Sequence, residues 1–251
     1  MATFEREDMS GSEFRLVVLN DSWFRNVDLH RVTMRGVELV DVSIDGEIER
    51  VRINGVDVGP LIEAELDRTQ PDRQLMRPED AEGVRAAWTA LERLWAGTVE
   101  RARTLDPEQL HQSVDGEWSF IQTLRHLVFA TESWLGRAVL GDPAPWHPLS
   151  LPWDTFTDLP PEVPQDRAAR PSLDEVLALR ADRWAMVQRL LDEMTDERLA
   201  SEVVCPDAPG WPPAGHAFEV GECLRIVVNE EWHHRLYAER DLDLLATRGT
   251  G

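Results

Sequence analysis

The hydrophobic residues of the first sixty positions recur with a period of five. A large apolar side chain stands at every fifth position from 14 to 44, and a second series, mostly valine, stands two residues before the next large one. Neither an α-helix nor a β-strand has this period. It indicates a chain that turns a corner every five residues around a narrow apolar axis. The two series are Phe14, Leu19, Phe24, Leu29, Met34, Leu39 and Ile44, and Val17, Val27, Val32, Val37 and Val42.

This pattern resembles the pentapeptide-repeat family over about residues 12 to 58. The resemblance implies a right-handed square β-helix with four repeats per coil, so the seven repeats make fewer than two coils. Valine replaces the usual alanine in the smaller inward position, which predicts a locally swollen coil. Because stacked repeats need neighbours to bury their faces, we expect the segment to pack against the rest of the protein or a partner chain. A lid, a spacer or a dimer surface is one interpretation, and a recognition surface for another macromolecule is the alternative.

Four long amphipathic helices follow a turn at 54–60, a short helix at 61–67 and a proline-containing linker at 70–80. Apolar residues spaced by three and four predict the helices at about 79–105, 119–140, 172–194 and 220–245. The third begins at a capping box, in which Ser172 precedes Glu175 by three residues. The connection from Gly141 to Pro171 is long and rich in proline, and another long one spans Ser201 to Phe218. Loops of this length in a compact domain commonly cover sites or bind partners.

The predicted fold is therefore mainly α with a small β part. We expect a repeat β-helix segment at 1–60, a short helix and linker at 61–80, and a four-helix bundle at 81–251. Bundles of this kind build ligand sites from side chains on facing helices.

Composition narrows the functional classes. The net charge of −21 opposes binding to nucleic acid and to anionic lipid. No apolar run is long enough for a membrane span, and residues 1–10 lack an apolar signal core, so we expect a cytoplasmic protein. Cys205 and Cys223 are expected to be reduced thiols. All 26 basic residues are arginine, which is typical of a GC-rich genome.

The candidate chemistry lies on the last helix. Glu230 and His234 are four residues apart and share one helical face, so they can converge on one ion while His126 approaches from the second helix. Burying such polar groups on an otherwise apolar face is costly unless a cation bridges them. His233 is rotated by about 100° and is expected at the surface or behind the site. Taken singly, His126 could equally be a hydrogen-bonded core histidine, and Glu230 and His234 part of a solvated face.

Three motifs in order resemble the DinB-like superfamily of four-helix-bundle metalloproteins, over about residues 78 to 246. They are Glu117-Trp118-Ser119 with Thr123-Leu124-Arg125-His126-Leu127, then Pro145-Trp146-His147-Pro148-Leu149, then Asn229-Glu230-Glu231-Trp232-His233-His234. The resemblance implies a divalent metal, usually Zn or Ni, on His126, His234 and the residue at 230. A histidine is usual where this chain has Glu230, and a carboxylate also favours Mn or Fe.

The resemblance further implies a metal-dependent S-transferase or a related enzyme that uses a low-molecular-weight thiol and a small-molecule substrate. An actinobacterial source, which the arginine-only composition suits, would supply mycothiol. In such an enzyme Glu231 or Tyr237 would orient protons as catalytic residues, and His147 with its loop companions Trp146 and Trp153 would close over the cofactor pocket. Tyr237 could equally be a core residue and His147 a surface-loop residue. The competing hypothesis is a noncatalytic interaction or stress-response protein, in which bundle and repeat coil form a partner or homodimer surface.

Overall fold

A computed structural model describes residues 2–46, 48–154 and 158–248. The chain divides into two compact units, one up to Ile48 and one from Glu49 onward. Within the described part, none of the helices combines the length and the apolar character that crossing a membrane requires. The sequence had placed the division near residue 60, after the turn.

The first unit repeats its backbone conformation every five residues. Left-handed φ angles occur at intervals of five, between 51° and 77° for all but the last of them, Gly46 at 151°. The residues concerned are Arg6, Gly11, Leu16, Asp21, Asn26, Arg31, Gly36, Asp41 and Gly46. Each one turns the chain, so the five-residue period of the sequence is also a period of the backbone.

Residues 2–46 contain no β-strand and no backbone hydrogen bonds between successive coils. The apolar residues of both series also remain largely exposed, from 51% for Val27 to 69% for Ile44. A β-helix buries such residues and pairs its coils. The structure thus has the five-residue backbone period, whereas the β-helix itself stays a prediction.

The second unit is mainly helical. It opens with an antiparallel hairpin of β1 (Arg52–Ile53) and β2 (Val56–Asp57), followed by α1 (Gly59–Thr69) and a 3-10 helix (Pro71–Met76). The bundle consists of α2 (Ala81–Ala102), α3 (Phe120–Thr131) with its π-helical continuation (Glu132–Val139), α4 (Leu173–Asp192) and α6 (Val220–Arg248). A short α5 (Asp196–Leu199) and a hairpin of β3 (Glu202–Val204) and β4 (Ala217–Glu219) lie between α4 and α6. The mainly α fold is thus confirmed, and the third connection contains a hairpin that the sequence analysis did not predict.

Side-chain caps fix where the helices begin. Asp80 accepts a hydrogen bond from the Gly83 N–H at 2.7 Å at the start of α2. Capping boxes begin both α3, at Ser119 and Gln122, and α4, at Ser172 and Glu175 as expected. Because a cap satisfies otherwise unpaired N–H groups, it sets the first residue of each helix and thereby the faces that meet in the core.

The second bundle helix changes type halfway along. After Thr131 the turns widen, as in the hydrogen bond from the Leu140 N–H to the Leu135 carbonyl oxygen, five residues earlier. Every residue from Thr123 to Val139 is buried. This helix therefore lies at the centre of the second unit and not on its surface.

Candidate metal centre

Helices α3 and α6 bring His126, Glu230 and His234 together. One potential ligand atom from each residue lies within 4.8 Å of the other two. Glu230 Oε2 is 3.2 Å from His126 Nε2 and 3.0 Å from His234 Nε2. Donor atoms around a tetrahedral zinc ion, at 2.0–2.1 Å from the metal, are separated by about 3.3 Å. The two distances to Glu230 are therefore close to those around a divalent ion, and the third lies within the 4.8 Å bound.

The orientation of the His126 ring supports this fit. Its Nδ1 lies 3.0 Å from the carbonyl oxygen of Leu151, which can only accept, so Nδ1 carries a hydrogen and donates it. In the neutral ring, Nε2 then presents a lone pair to the Glu230 carboxylate, 3.2 Å away. Two acceptors at this distance repel unless a proton or a metal cation lies between them. A metal-bound histidine typically donates its other N–H to a carbonyl in this way.

Burial disfavours the protonated form of His126. His126 is fully buried, and this burial lowers the pKa of its imidazole. Burial alone would raise the pKa of Glu230, but His126 and His234 at its carboxylate outweigh that effect and hold the pKa below its usual range. Glu230 is therefore an anion at neutral pH, ready to bind a cation. The side chains of Glu230 and His234 are about one fifth exposed, which leaves one side of the centre accessible.

Aromatic rings pack against the two imidazoles. Trp118 stacks on His234, with ring centroids 5.8 Å apart and planes 13° apart, and also lies 4.6 Å from the His126 ring. Trp153 meets His126 edge-on at 5.1 Å and lies 6.3 Å from Trp211. These contacts restrict the two imidazoles to the orientations seen here.

Two buried arginines hold the long connections in place. Arg125 donates to the carbonyl oxygens of Leu149, Asp166 and Ala169. Arg137 donates to the carbonyl oxygens of Pro143, Pro206, Ala208 and Pro212. Both side chains are fully buried, so these hydrogen bonds replace the water that a guanidinium otherwise requires. The segments that carry Trp153 and Trp211 are thereby fastened to the second bundle helix.

A buried carboxylate makes a third attachment. Glu132 accepts from the His147 N–H at 3.1 Å, from the Ser150 hydroxyl and from Arg183 of α4 at 2.6 Å. Burial raises its pKa to about 7, although Ser150, Arg183 and His147 oppose the increase. Glu132 thus holds the same connection whose Leu151 carbonyl orients His126.

The other residues proposed from the sequence lie apart from the ligands or at their edge. Glu231 is buried on another face of α6, where its Oε2 accepts from Arg180 at 2.8 Å. Tyr237 is 40% exposed, and its ring meets that of His234 edge-on at 5.9 Å. His233 is exposed, as expected. The structure therefore brings only Tyr237 beside the centre, and a catalytic role for either Glu231 or Tyr237 stays a prediction.

Trp146 and His147 attach the loop to the helix. The Trp146 indole N–H donates to the Ser133 hydroxyl at 3.0 Å, and the ring packs under Arg137. His147 Nδ1 accepts from the Leu149 N–H at 3.1 Å, and burial together with Arg183 lowers its pKa. Neither residue contacts the three ligands among the described contacts, so cofactor binding by them is also still a prediction.

Sequence reasoning did not identify the supporting residues. Trp118 belongs to the first motif by its place next to Ser119, and nothing in the sequence assigned it a role. The burial of Arg125 and Arg137 could not be expected from residue type, because arginine is rarely buried. Their one available signal is that each stands inside a run of otherwise apolar residues on the second helix.

Comparison with known proteins places the bundle in a family. The model of the family described as the DinB superfamily matches residues 90–238, which is more than half of the chain and contains all three ligands. A search of curated proteins finds no match.

Proposed function

This chain belongs to the DinB superfamily, and from that premise we propose that it is a metalloprotein whose His126, Glu230 and His234 hold one divalent ion for a thiol-dependent S-transferase reaction. The observation that carries the proposal is the pair of acceptors, His126 Nε2 and Glu230 Oε2, fixed 3.2 Å apart by the Leu151 carbonyl. A metal cation between them would satisfy both without protonating the buried imidazole.

A bound divalent ion would lower the pKa of a coordinated thiol or water and so supply a nucleophile at neutral pH. The protein's own part is to hold the donors and limit water. His126 and His234 are restrained by Trp118, and the partly exposed side of Glu230 leaves access for a ligand. With three protein ligands the site retains an open position, which is typical of catalytic zinc and not of structural zinc.

The donor set supports four candidate ions. Two imidazoles and one carboxylate suit Zn and Ni, and the carboxylate also admits Mn or Fe. For the thiol we propose mycothiol, and for the compartment the cytoplasm, in which both cysteines are free thiols and buried.

Metal analysis tests the first part of the proposal. Purified protein should contain or take up about one equivalent of Zn or Ni, and the His126→Ala and His234→Ala variants should not. A wild-type protein that binds none of the four metals would overturn it.

Thiol conjugation tests the second part. With metal-loaded protein, mycothiol and 1-chloro-2,4-dinitrobenzene, the sulfur forms a bond to the ring carbon, the carbon–chlorine bond breaks, and chloride and a proton leave. We expect product formation to depend on metal and on His126. Full metal loading without turnover on a panel of such electrophiles would contradict the transferase while leaving the metal site intact.

The repeat segment favours a second role that does not need turnover. We propose that it forms a pentapeptide-repeat β-helix and serves as a homodimer or partner surface, because the period-five corners are accompanied by apolar residues that remain half exposed. Exposed apolar surface of this extent is typical of interaction sites. Leu29→Asp should weaken self-association in light scattering, whereas the neighbouring Asp28→Asn should not, and a monomeric wild-type protein would contradict the homodimer.

A further inference from the structure

Three tryptophans from three separate segments meet beside the metal centre. Trp118 precedes α3, Trp153 lies in the connection from α3 to α4, and Trp211 lies between β3 and β4. Trp118 and Trp153 both contact the His126 ring, and Trp211 contacts Trp153. All three are partly exposed, although tryptophan buries a large apolar area when it can. We call this set the aromatic wall.

The aromatic wall is held rigidly. The Trp118 indole N–H donates to Asp154 Oδ2 at 2.8 Å, and Asp154 also pairs with Arg167. The segment before Trp153 is fastened by Arg125, and the segments on both sides of Trp211 are fastened by Arg137. Two fully buried guanidinium groups are a costly way to anchor loops. A fixed wall loses little conformational entropy when a ligand packs on it.

The chemistry of the wall defines what it can recognise. The indole N–H of Trp118 is bound to Asp154 and one face of the ring is stacked on His234, so the ring offers its other face and its apolar edges and not its hydrogen-bond donor. Faces and edges of indole rings favour planar aromatic groups, in stacked or edge-to-face geometry. An aromatic cation is disfavoured there, since the divalent ion held by His126, Glu230 and His234 would repel it.

We propose that the aromatic wall binds a planar aromatic group, neutral or anionic, of a ligand whose polar head reaches the metal centre. The inference rests on the proposed function, because the head group needs the ion. It assigns the substrate class to aromatic compounds, and it makes Trp153 and Trp211 specificity-determining residues.

A matched pair of metal-binding probes tests this assignment. Acetohydroxamate and benzohydroxamate carry the same head group and differ in a methyl against a phenyl substituent. Protein loaded with cobalt(II) is titrated with each probe, and binding is read from the change in the visible absorption of the metal. We expect benzohydroxamate to bind about tenfold more tightly or better, because the phenyl group is removed from water against the wall.

Variants show whether the wall causes the preference. Trp211→Leu should reduce the affinity ratio several-fold and leave acetohydroxamate binding unchanged. Trp153→Leu should likewise lower the affinity ratio. Trp153→Phe keeps an aromatic ring and should therefore retain most of the wild-type ratio. Trp23→Leu, in the first unit, serves as the control and should match the wild type.

The two possible failures are distinguishable. Cobalt binding has its own visible absorption before any probe is added, and its absence overturns the proposed function together with this inference. A normal cobalt spectrum with equal affinities for the two probes overturns the inference alone. The inference is also overturned if Trp153→Leu and Trp211→Leu both have a normal cobalt spectrum and both keep the wild-type affinity ratio.

Discussion

Glu230 Oε2 lies 3.2 Å from a His126 nitrogen whose opposite ring nitrogen already donates to the Leu151 carbonyl. When the imidazole is neutral, the carboxylate and Nε2 therefore face each other as two acceptors, in a position where neither is fully solvated. This relationship accounts for the expected behaviour of variants at both positions.

Glu230→Gln should weaken metal binding by about tenfold or more. The substitution keeps the size of the side chain and removes the negative charge that offsets the charge of the ion. Isothermal titration with Zn measures the affinity, and Glu222→Gln, at an exposed position on the same helix, is the matched control. Equal affinities in Glu230→Gln and in the wild type would show that Glu230 is not a ligand.

Metal should stabilise the folded protein in proportion to its affinity. At a free Zn concentration of about 100 times Kd, the free energy of unfolding should rise by about 2.7 kcal/mol. Thermal melts with and without Zn should therefore separate for the wild type and coincide for His234→Ala. A similar increase in Tm for both proteins would indicate binding elsewhere.

Glu132 should make stability depend on pH. Its native pKa of about 7 exceeds the ordinary value of 4.5, so between these values the native state holds a proton that the unfolded state has lost. The free energy of unfolding therefore falls as pH rises through this interval, by about 3 kcal/mol from this group, and levels off above pH 7. Below pH 4.5 the contribution is fully present.

Glu132→Gln removes this titration. Urea unfolding at pH 5 and at pH 8 should show that the stability difference between wild type and variant shrinks or reverses at the higher pH. Glu92→Gln, at a partly exposed carboxylate on α2, is the control and should follow the wild type. Parallel pH profiles for Glu132→Gln and wild type would contradict the raised pKa.

Arg137→Met should destabilise the second unit by about 3 kcal/mol, since several carbonyl oxygens lose their buried donor at once. Hydrogen exchange should accelerate in residues 142–146 and 205–212 before it does so in α2. Arg189→Met, on the exposed face of α4, should change neither quantity. Unchanged exchange in both segments would show that they are anchored by other contacts.

The sequence contains enough to name the three candidate ligands but not the residues that surround them. Glu230 and His234 share a helical face by simple periodicity, and His126 joins them through an ordered set of motifs. Trp153 and Trp211 come to the centre through loops, for which no periodicity exists, and those loops are placed by arginines that composition alone assigns to the surface.

The first unit illustrates a different limit. Its corners follow from the five-residue spacing, and left-handed φ angles occur at the expected interval at Asp21, Asn26 and Arg31. Asparagine and aspartate tolerate this conformation better than most residues do. Whether successive coils pair depends on contacts between residues distant in the chain, and the spacing carries no information about them.

The widened turns from Glu132 to Val139 also determine the directions in which side chains project from the second helix. In an uninterrupted α-helix, Arg125 and Arg137, twelve residues apart, would point about 120° away from each other. The π-helical turns use more residues for each revolution and bring the two directions closer together, so one side of one helix gathers both long loops. A deletion of a single residue in this stretch would rotate Arg137 away from its four carbonyls without altering any of the aromatic residues that contact His126 and His234.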